Sequence, residues 1–276
     1  MSGGRVLVMG ILNVTPDSFH AQSCTPDLST ALARARVLVD EGADILDVGG
    51  ESTRPGAIPV DAAEEAGRVV PVIRALAADF PGLTISVDTC KARVASEALH
   101  VGAALVNDVS GGRLDPAMAE LVGRTGARVV LGHMRGTPAT MQDAPRYDDA
   151  VAEVASELGA AVDAFLRAGV PRERIWVDPG FGFGKRLADN VALLACLDRF
   201  RDLGAGVVVG LSRKRFIGDL MRPGGSSAPE ERLAGSLAAA VIAATKGASV
   251  VRTHDVRATR EALAVAAAIA ACGAEA

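Results

Sequence analysis

The chain has 276 residues, 49% of them apolar, and a formal net charge of -4. This composition suits one large α/β domain or two small ones, and the weak negative charge gives no reason to expect a nucleic acid partner. No apolar run is long enough to span a bilayer, and the amino terminus lacks the layout of a signal peptide. The four cysteines lie far apart, so we expect reduced thiols in a cytoplasmic enzyme.

Short runs rich in Val, Ile and Leu recur along the chain and predict eight β-strands. Their apolar residues are nearly continuous, which is typical of parallel strands buried on both faces. The segments between them show helical spacing, and Leu28, Leu32, Ala35 and Val39 fall on one face of the first predicted helix. The strand-like runs are residues 5–14, 44–50, 84–89, 103–110, 128–134, 174–180, 206–212 and 249–256.

Glycines mark the joints between the predicted helices and the strands that follow them. A helix often ends at a residue with a left-handed backbone, where glycine is favoured. Eight strands in βα alternation need seven such joints, and seven are present: Gly42, Gly82, Gly102, Gly126, Gly169, Gly204 and Gly247. We therefore predict an α/β fold, a (β/α)8 TIM barrel in which residues 1–276 form a single domain. An open doubly wound sheet is the alternative.

The loop DPGFGFGK at residues 178–185 resembles a phosphate-binding loop at first sight. Its spacing does not fit, because a Walker loop has a glycine where Pro179 stands and a Ser or Thr where Arg186 stands. A dinucleotide fingerprint reads G-x-G-x-x-G, whereas this loop reads G-x-G-x-G. We therefore expect another kind of ligand at this loop.

Every predicted strand ends in at least one polar or ionisable side chain. In a TIM barrel the carboxyl ends of the strands meet at one face, and the active site lies there. Carboxylates and amides at that face suit the edge of a flat heterocycle, and adjacent cations suit a phosphate or pyrophosphate. Neither a G-x-S-x-G nor an H-E-x-x-H motif is present. The strand-end residues are Asn13, 51–54, Asp88, Asn107, Asp108, His133, Asp178, 212–214 and 252–255.

Seven motifs resemble those of the dihydropteroate synthase family and occur in that family's order, over essentially the whole chain. The resemblance implies a (β/α)8 barrel, in agreement with the strand and joint count, and a homodimer. It also implies a reaction of folate biosynthesis, in which p-aminobenzoate is joined to 6-hydroxymethyl-7,8-dihydropterin pyrophosphate and pyrophosphate is released. The motifs are MGILNVTPDSF (9–19), DVGGESTRPGA (47–57), SVDT (86–89), HMRGTPATMQ (133–142), DPGFGFGK (178–185), GLSRKRFIG (210–218) and RTHDV (252–256).

The resemblance assigns the pterin to Asp88, Asn107, Asp178, Lys214 and Arg252. Carboxylates would accept hydrogen bonds from the ring N–H and the exocyclic amine. Lys214 would donate to the carbonyl side of the ring, and Arg252 would lie against the ring face. The loop at residues 178–185 would thus supply a recognition carboxylate, and its glycines would let the ring approach the backbone.

The resemblance assigns the pyrophosphate to Asn13, Thr53, Arg252 and His254, and Mg²⁺ to Asn13. Mg²⁺ keeps most of its waters, so a single protein ligand suits it. The expected mechanism needs no enzymic nucleophile: pyrophosphate departs first, and the amine attacks the resonance-stabilised pterin cation. Arg252, His254 and Lys214 are the expected catalytic residues, with the metal assisting the leaving group.

The resemblance places p-aminobenzoate at the outer part of the site. Its carboxylate would lie near Ser212, at a helix start where free N–H groups attract anions. Its ring would contact Phe183, Phe19 and Pro55, with Arg54 beside them. His133 is expected either to line the site or to support it from behind.

One loop departs from the family pattern. After NVTPDSF the family usually continues Ser-Asp-Gly-Gly, whereas residues 20–25 read HAQSCT, so an aspartate expected to close over the metal and the amine is missing. This keeps open a pterin-binding paralogue with impaired catalysis, which would bind the pterin without turnover. A pterin-dependent methyltransferase shares the barrel, but it has no pyrophosphate to expel and would not need ESTRPGA, SRK and RTH together.

Overall fold

A computed structural model describes residues 5–15, 28–54, 56–225 and 227–274. Within these ranges eight parallel strands close into a barrel in the order β1 to β8, and helices alternate with them along the chain. The last strand pairs with the first, with Leu7 opposite Val250 and Met9 opposite Arg252. The predicted (β/α)8 barrel is confirmed.

The strands are short and are almost entirely buried, as their apolar sequences predict. Their bounds are β1 Leu7–Asn13, β2 Ile45–Gly49, β3 Thr84–Asp88, β4 Leu105–Asp108, β5 Arg128–Gly132, β6 Ile175–Asp178, β7 Gly206–Gly210 and β8 Ala248–Thr253. Each lies within the run predicted from the sequence, except that β8 begins one residue earlier.

The helices form the outer layer. Their bounds are α1 Leu28–Asp40, α2 Ala62–Asp79, α3 Ala92–His100, α4 Ala117–Thr125, α5 Ala150–Arg167, α6 Leu187–Ala195, α7 Arg215–Met221, α8 Leu233–Thr245 and α9 Val256–Ala274. Short 3-10 turns lie at Arg172–Arg174, Leu197–Phe200 and Pro229–Arg232. Two helices therefore separate β7 from β8, where the other strands of the described chain have one between them.

Side chains alternate along each strand between the barrel interior and the helix layer. On β1, for example, Val8 packs with the helices, whereas Met9 packs inside the barrel. The interior layer of apolar side chains consists of Met9, Ile45, Leu105, Val130, Val208 and Val250, with Leu7 and Trp176 packed against it. These residues fill the barrel, so it is a packed core and not a pore.

Six of the seven glycines predicted at helix-to-strand joints have a left-handed backbone, as expected, with φ between 70° and 120°. Gly204 is the exception, because its φ is not positive. A Cβ atom at Gly204 would lie only 2.4 Å from the carbonyl oxygen of Ile175, so close approach of the backbone explains that glycine.

The first helix buries a different face from the one predicted. Its buried residues are Ala31, Ala35 and Leu38. Leu32 and Val39 are partly buried, and Leu28 is 40% exposed. Small alanines face the strands here because the helix packs close to the sheet, so the larger side chains lie at the margins of the contact.

Candidate functional site

A layer of polar side chains lies directly above the apolar interior layer. On four strands, the residue two positions after an interior apolar residue is polar, and residues two apart on a strand project from the same face. The pairs are Ile45 and Asp47, Leu105 and Asn107, Trp176 and Asp178, and Val250 and Arg252. The strand pleat therefore carries these polar side chains into the barrel at its carboxyl end.

Arg252 lies between two carboxylates in this layer. Its Nε donates to Asp47 Oδ2 over 2.6 Å, and its Nη2 donates to Asp88 Oδ2 over 2.6 Å. Asn107 also donates to Asp47 Oδ2, over 2.9 Å. Asp47 is fully buried, and its other oxygen, Oδ1, has no hydrogen-bond partner among the described residues. The layer therefore offers buried acceptors for a ligand rich in N–H donors.

Burial shapes the charge state of these acids. It raises the pKa of Asp88, and the charge of Arg252 opposes that rise. It likewise raises the pKa of Asp178, opposed by a hydrogen bond of 2.7 Å from the Gly180 amide to Oδ1. The other oxygen of Asp178, Oδ2, lies on the side of Gly210, which lines the cleft. Asp178 is thus held by one oxygen and free to accept with the other.

Lys214 follows β7 and projects toward Asp178. Its Nζ lies 3.9 Å from the ring centroid of Phe183, a distance typical of a cation–π contact. Burial lowers the pKa of Lys214 to about 8, and the charge of Asp178 opposes this. The ammonium therefore stays charged at neutral pH and stands between an acid and an aromatic ring.

The other lysine of this region, Lys185, is enclosed by the loop that precedes it. Its Nζ lies 2.9 Å from the Gly180 carbonyl oxygen, 3.0 Å from that of Phe183 and 3.2 Å from that of His133. Gly180, Gly182 and Gly184 all have positive φ, which winds the loop around the ammonium. Lys185 is 4% exposed, so this lysine holds the loop together and does not face a ligand.

His133 supports the loop and does not line the cleft. It is 4% exposed, with Nδ1 2.9 Å from Lys185 Nζ and Nε2 3.0 Å from Glu157 Oε2. Burial, followed by the charge of Lys185, lowers its pKa to about 4. A neutral ring that accepts at Nδ1 and donates at Nε2 satisfies both contacts.

Ser212 and His254 form a pair at the outer part of the site. The Ser212 hydroxyl accepts from the His254 backbone amide over 3.2 Å and lies 3.0 Å from Nδ1 of the same residue. Burial, followed by the charges of Arg252 and Arg213, lowers the pKa of His254 to about 4. The ring is therefore neutral at pH 7. When the Ser212 hydroxyl donates a hydrogen bond to Nδ1, the single proton of the neutral ring is on Nε2.

The turn after β7 is held in an uncommon backbone conformation. Arg213 has a φ of 57° although it is not glycine. Its side chain makes two bonds to Asp255, of 3.0 and 2.6 Å, and its amide donates to Ser236 Oγ over 2.9 Å. These contacts hold a conformation that costs about 1–3 kcal/mol elsewhere. The result is that both Ser212 and Lys214 reach the cleft.

A cleft that is partly open to solvent lies at the carboxyl end of the barrel. Eight of the predicted site residues line it: Thr53, Asn107, Asp178, Phe183, Ser212, Lys214, Arg252 and His254. Asp88 is tied to the same cleft through Arg252. Arg54 is exposed and lies outside the lining, and Phe19 and Pro55 lie outside the described residues, as do residues 20–25.

Asn13 ends β1 beside Asp88. A Cβ atom placed on Gly49 would lie 3.7 Å from Asn13 Oδ1 and 3.6 Å from Asp88 Oδ2, so the two oxygens flank the same glycine. Among the described residues, no group of three or more His, Cys, Asp or Glu side chains is arranged to hold a metal ion. An amide oxygen next to a carboxylate does fit a magnesium ion that keeps most of its waters.

Asp47 is the residue of this site that the sequence reasoning missed. It stands inside the DVGG run, in the middle of an otherwise apolar strand, where an acid is costly to bury without a partner. That position was the available signal, since an acid two residues after an interior isoleucine must point into the barrel. Its partner Arg252 could not be read from the sequence.

Comparisons with known proteins place the chain among the pterin-binding enzymes. The family described as "Pterin binding enzyme" matches residues 9–254. The dihydropteroate synthase of Escherichia coli is 48% identical over 258 residues, covering 94% of this chain and 89% of that protein. Within the described residues, no helix combines the length and apolar character needed to cross a membrane.

Solved structures agree with the sequence comparisons. Xanthomonas albilineans dihydropteroate synthase with 4-aminobenzoic acid has a TM-score of 0.89 and 48% identity, covering 97% of this chain and 94% of that one. The same enzyme in complex with 7,8-dihydropteroate gives a TM-score of 0.86 at 45% identity, with the same coverage of both chains. The Yersinia pestis enzyme with a sulfonamide drug gives 0.89 at 43% identity, covering 97% of this chain and 95% of that one.

Proposed function

The chain belongs to the pterin-binding enzymes, as a member of the dihydropteroate synthase family, and from that premise we propose which of its residues hold each substrate. The enzyme is a transferase that joins p-aminobenzoate to 6-hydroxymethyl-7,8-dihydropterin pyrophosphate, giving 7,8-dihydropteroate and pyrophosphate. The observation that carries the residue assignment is the meeting of Asn107, Asp178, Lys214 and Arg252 in one cleft at the carboxyl end of the barrel.

The deep polar layer would hold the pterin ring. Asp178 has one oxygen fixed by Gly180 and the other directed to the cleft, where it would accept from the ring's N–H and amine donors. Asp88 and Asn107 would complete the polar edge. Lys214 would donate to the ring's carbonyl oxygen, because its ammonium is charged at neutral pH and stands beside Asp178.

The outer part of the site would hold the pyrophosphate. Thr53 and His254 line the same cleft as Arg252. His254 is neutral, so it would act as a hydrogen-bond donor through Nε2 and not as a cation. Arg252 would supply the positive charge, keeping Nε on Asp47 while Nη2 turns from Asp88 to the leaving group.

We also propose that Asn13 holds a magnesium ion at this end of the cleft. The support is the chemistry of the donors, since its amide oxygen stands beside the Asp88 carboxylate. When bound, Mg²⁺ would neutralise charge on the departing pyrophosphate. The residues of the chain would orient the pterin, hold the leaving group and align the amine with the carbon that it attacks.

Bond changes are simple in this reaction. The C–O bond to the pyrophosphate breaks, a C–N bond to the aromatic amine forms, and the amine loses one proton. Lys214 and the buried acids would hold the ring through the cationic stage that follows the loss of pyrophosphate, a case of preorganised electrostatic stabilisation. No side chain of the enzyme needs to form a covalent bond.

p-Aminobenzoate would lie at the rim of the cleft. Ser212 and the start of the turn before α7 would receive its carboxylate, and the Phe183 ring, fixed against Lys214, would contact its ring. Arg54 is exposed nearby and would cover the outer edge. Phe19 and Pro55 stay predictions for this subsite. A sulfonamide is bound by the Yersinia pestis relative, and we expect it to compete for the same place here.

Two expectations about the whole protein remain proposals. We infer a homodimer, supported by large apolar side chains exposed on α8 and α9, namely Ile242, Val265 and Ile269. We place the enzyme in the cytoplasm because Cys90, Cys196 and Cys272, the cysteines within the described ranges, form no disulfide, which suits that compartment. Sedimentation velocity would test the first of these.

Turnover would test the proposal directly. The purified enzyme is incubated with the pterin pyrophosphate, p-aminobenzoate and Mg²⁺, and both dihydropteroate and released pyrophosphate are measured with and without the amine. Asp178→Asn should raise KM for the pterin substrate while leaving the fold intact. Tight pterin binding with no dihydropteroate would instead identify a paralogue whose catalysis is impaired by residues 20–25.

A further inference from the structure

A partly buried ion cluster lies beside the site without lining it. Lys91 follows β3 at the start of α3, and its Nζ lies 2.6 Å from Glu51 Oε2 and 2.5 Å from Glu65 Oε2. The Glu65 side chain is fully buried in α2, whereas those of Lys91 and Glu51 are 26% and 21% exposed. None of the three lines the cleft.

Glu51 connects the two ends of the loop between β2 and α2. While Oε2 binds Lys91, Oε1 accepts from the backbone amide of Val60 over 2.8 Å. The loop is thus closed into a ring, with Thr53 and Arg54 on the segment that the ring encloses. Gly56 holds the far side through a 3.1 Å bond from its amide to the Pro138 carbonyl. The position of Thr53 therefore depends on where Glu51 is held.

The positive charge of Lys91 holds the two carboxylates of this cluster together. Burial works against its charge, but the hydrogen bonds to Glu51 and Glu65 outweigh burial and raise the pKa of Lys91. Glu65 Oε1 has no partner among the described residues, so Lys91 is the neighbour on which this buried carboxylate depends. Without the ammonium, two carboxylates would face each other, and the one on the loop would move away from the one fixed in a helix.

We propose that Lys91 is a positioning residue that holds the β2–α2 loop over the cleft, so that Thr53 meets the pyrophosphate. The proposal rests on the function proposed above, and it adds a residue that touches neither substrate. Its effect on binding is selective. The residues assigned to the pterin ring all lie outside this loop, whereas Thr53 on the loop is assigned to the pyrophosphate. Loss of Lys91 would therefore weaken the contact with the pyrophosphate and spare the pterin ring.

Three variants test this: Lys91→Met, Glu65→Gln and the double variant. Lys246→Met is the matched control, because it removes a lysine just after α8 that does not line the cleft. For each protein we would measure kcat, KM for the pterin pyrophosphate, and the Kd of 6-hydroxymethylpterin, which lacks the pyrophosphate. Hydrogen exchange of the peptide covering residues 51–60 reports the loop without any need for activity.

Lys91→Met should lower kcat/KM for the pterin pyrophosphate by about tenfold or more, because a displacement near 1 Å can cost that much in an ordered site. Binding of 6-hydroxymethylpterin should change by less than about twofold, within the range of a mutation distant from the contact. The amide of Val60 should exchange faster. The double variant should recover part of the lost kcat/KM and part of the lost protection of the Val60 amide, because removing the charge of Glu65 removes its repulsion of Glu51.

Unchanged exchange over residues 51–60 in Lys91→Met would overturn the proposal, whatever the activity. So would equal losses of 6-hydroxymethylpterin binding and of turnover, since these would indicate a role in folding alone. A wild-type enzyme that makes no dihydropteroate would defeat the proposed function separately, because the exchange experiment would still decide the role of Lys91.

Discussion

The guanidinium Nε of Arg252 lies 2.6 Å from Asp47 Oδ2, although 205 residues separate the two along the chain. Asp47 belongs to β2 and Arg252 to β8, and both strands pair with β1. The contact therefore spans β1 inside the barrel and forms only when the barrel is closed. It joins the first part of the chain to the last at the centre of the site.

Replacing Asp47 by Asn should affect both stability and turnover. The substitution keeps the shape but removes the charge that holds Arg252 Nε, so we expect a loss of about 1–3 kcal/mol in the free energy of unfolding. We also expect kcat/KM for the pterin pyrophosphate to fall about tenfold, which corresponds to 1.4 kcal/mol. Urea unfolding and steady-state kinetics measure the two effects.

Asp44→Asn is the control for that experiment. Asp44 precedes the same strand at the opposite end of the barrel, where it binds Arg5 and Arg260. We expect a loss of stability there with kcat/KM unchanged. Equal catalytic losses in the two variants would show that the Asp47 effect is an indirect result of a weaker fold.

Gly180→Ala should be far more damaging than Gly169→Ala, although both glycines have positive φ. At Gly169, with φ 87°, no atom lies within 4 Å of an added Cβ, so only the backbone penalty of about 1–2 kcal/mol applies. At Gly180, with φ 71°, the Cβ would lie 1.9 Å from the His133 carbonyl oxygen. That clash adds about 1–3 kcal/mol. Similar midpoints of urea unfolding for the two variants would contradict the tight packing described at Gly180.

Lys185→Met should loosen the loop at residues 178–185. The methionine fills the space, and the Gly180 carbonyl oxygen keeps its bond from the Phe183 amide. The carbonyl oxygens of His133 and Phe183 lose the ammonium as a donor, at a cost of about 1–3 kcal/mol for each that stays unpaired. Because Phe183 is among them, we expect KM for p-aminobenzoate to rise more than KM for the pterin pyrophosphate. Lys246→Met should change neither constant. Equal increases in the two KM values would argue against a role centred on Phe183.

His254 should make stability depend on pH between about 6.5 and 4. Its folded pKa is lowered to about 4 from 6.5, so the unfolded chain binds a proton that the folded protein rejects in this window. Stability from this residue is complete above pH 6.5 and is lost as pH falls, by at most about 3 kcal/mol. Urea unfolding of the wild type and of His254→Gln across this range measures it. His133 shifts in the same direction, but it is present in both proteins and cancels in the difference.

The absence of a difference between those two pH profiles would show that His254 is solvated in the folded protein. A difference of the opposite sign would show that the ring is charged in the fold, and would remove its assigned role as a neutral donor to the pyrophosphate.

The architecture was predictable because it depends on local patterns. Apolar runs identified the eight strands, and glycine joints such as Gly42 and Gly169 fixed their alternation with helices, since a left-handed helix end favours glycine for local steric reasons. Gly204 shows the limit of that argument. Gly204 does lie at a helix-to-strand joint, but its backbone is not left-handed. Glycine is required there because the carbonyl oxygen of Ile175, distant in the sequence, leaves no room for a Cβ atom.

The site was predictable to the extent that strand ends converge in a closed barrel. Asn107, Asp178 and Lys214 could be named in advance because each lies near or just beyond the carboxyl end of a predicted strand. The contacts of Asp47 with Arg252 and of Lys91 with Glu51 could not, since they join residues far apart in the chain. Which acidic side chain pairs with which basic side chain depends on the register of the strands and on how each loop folds over the barrel.

The apolar layer beneath Asp47 and Asn107 has a kinetic consequence. The interior layer of apolar side chains, which includes Met9 and Ile45, fills the cross-section of the barrel. A molecule can therefore reach the polar layer only from the carboxyl end. Thr53 and Ser212 follow the ends of their strands and stand nearer that mouth than residues within the strands. A compound that binds at the deep layer must therefore enter before any compound that covers it at the rim. The cavity is closed at its inner end, and this geometry imposes an order of entry.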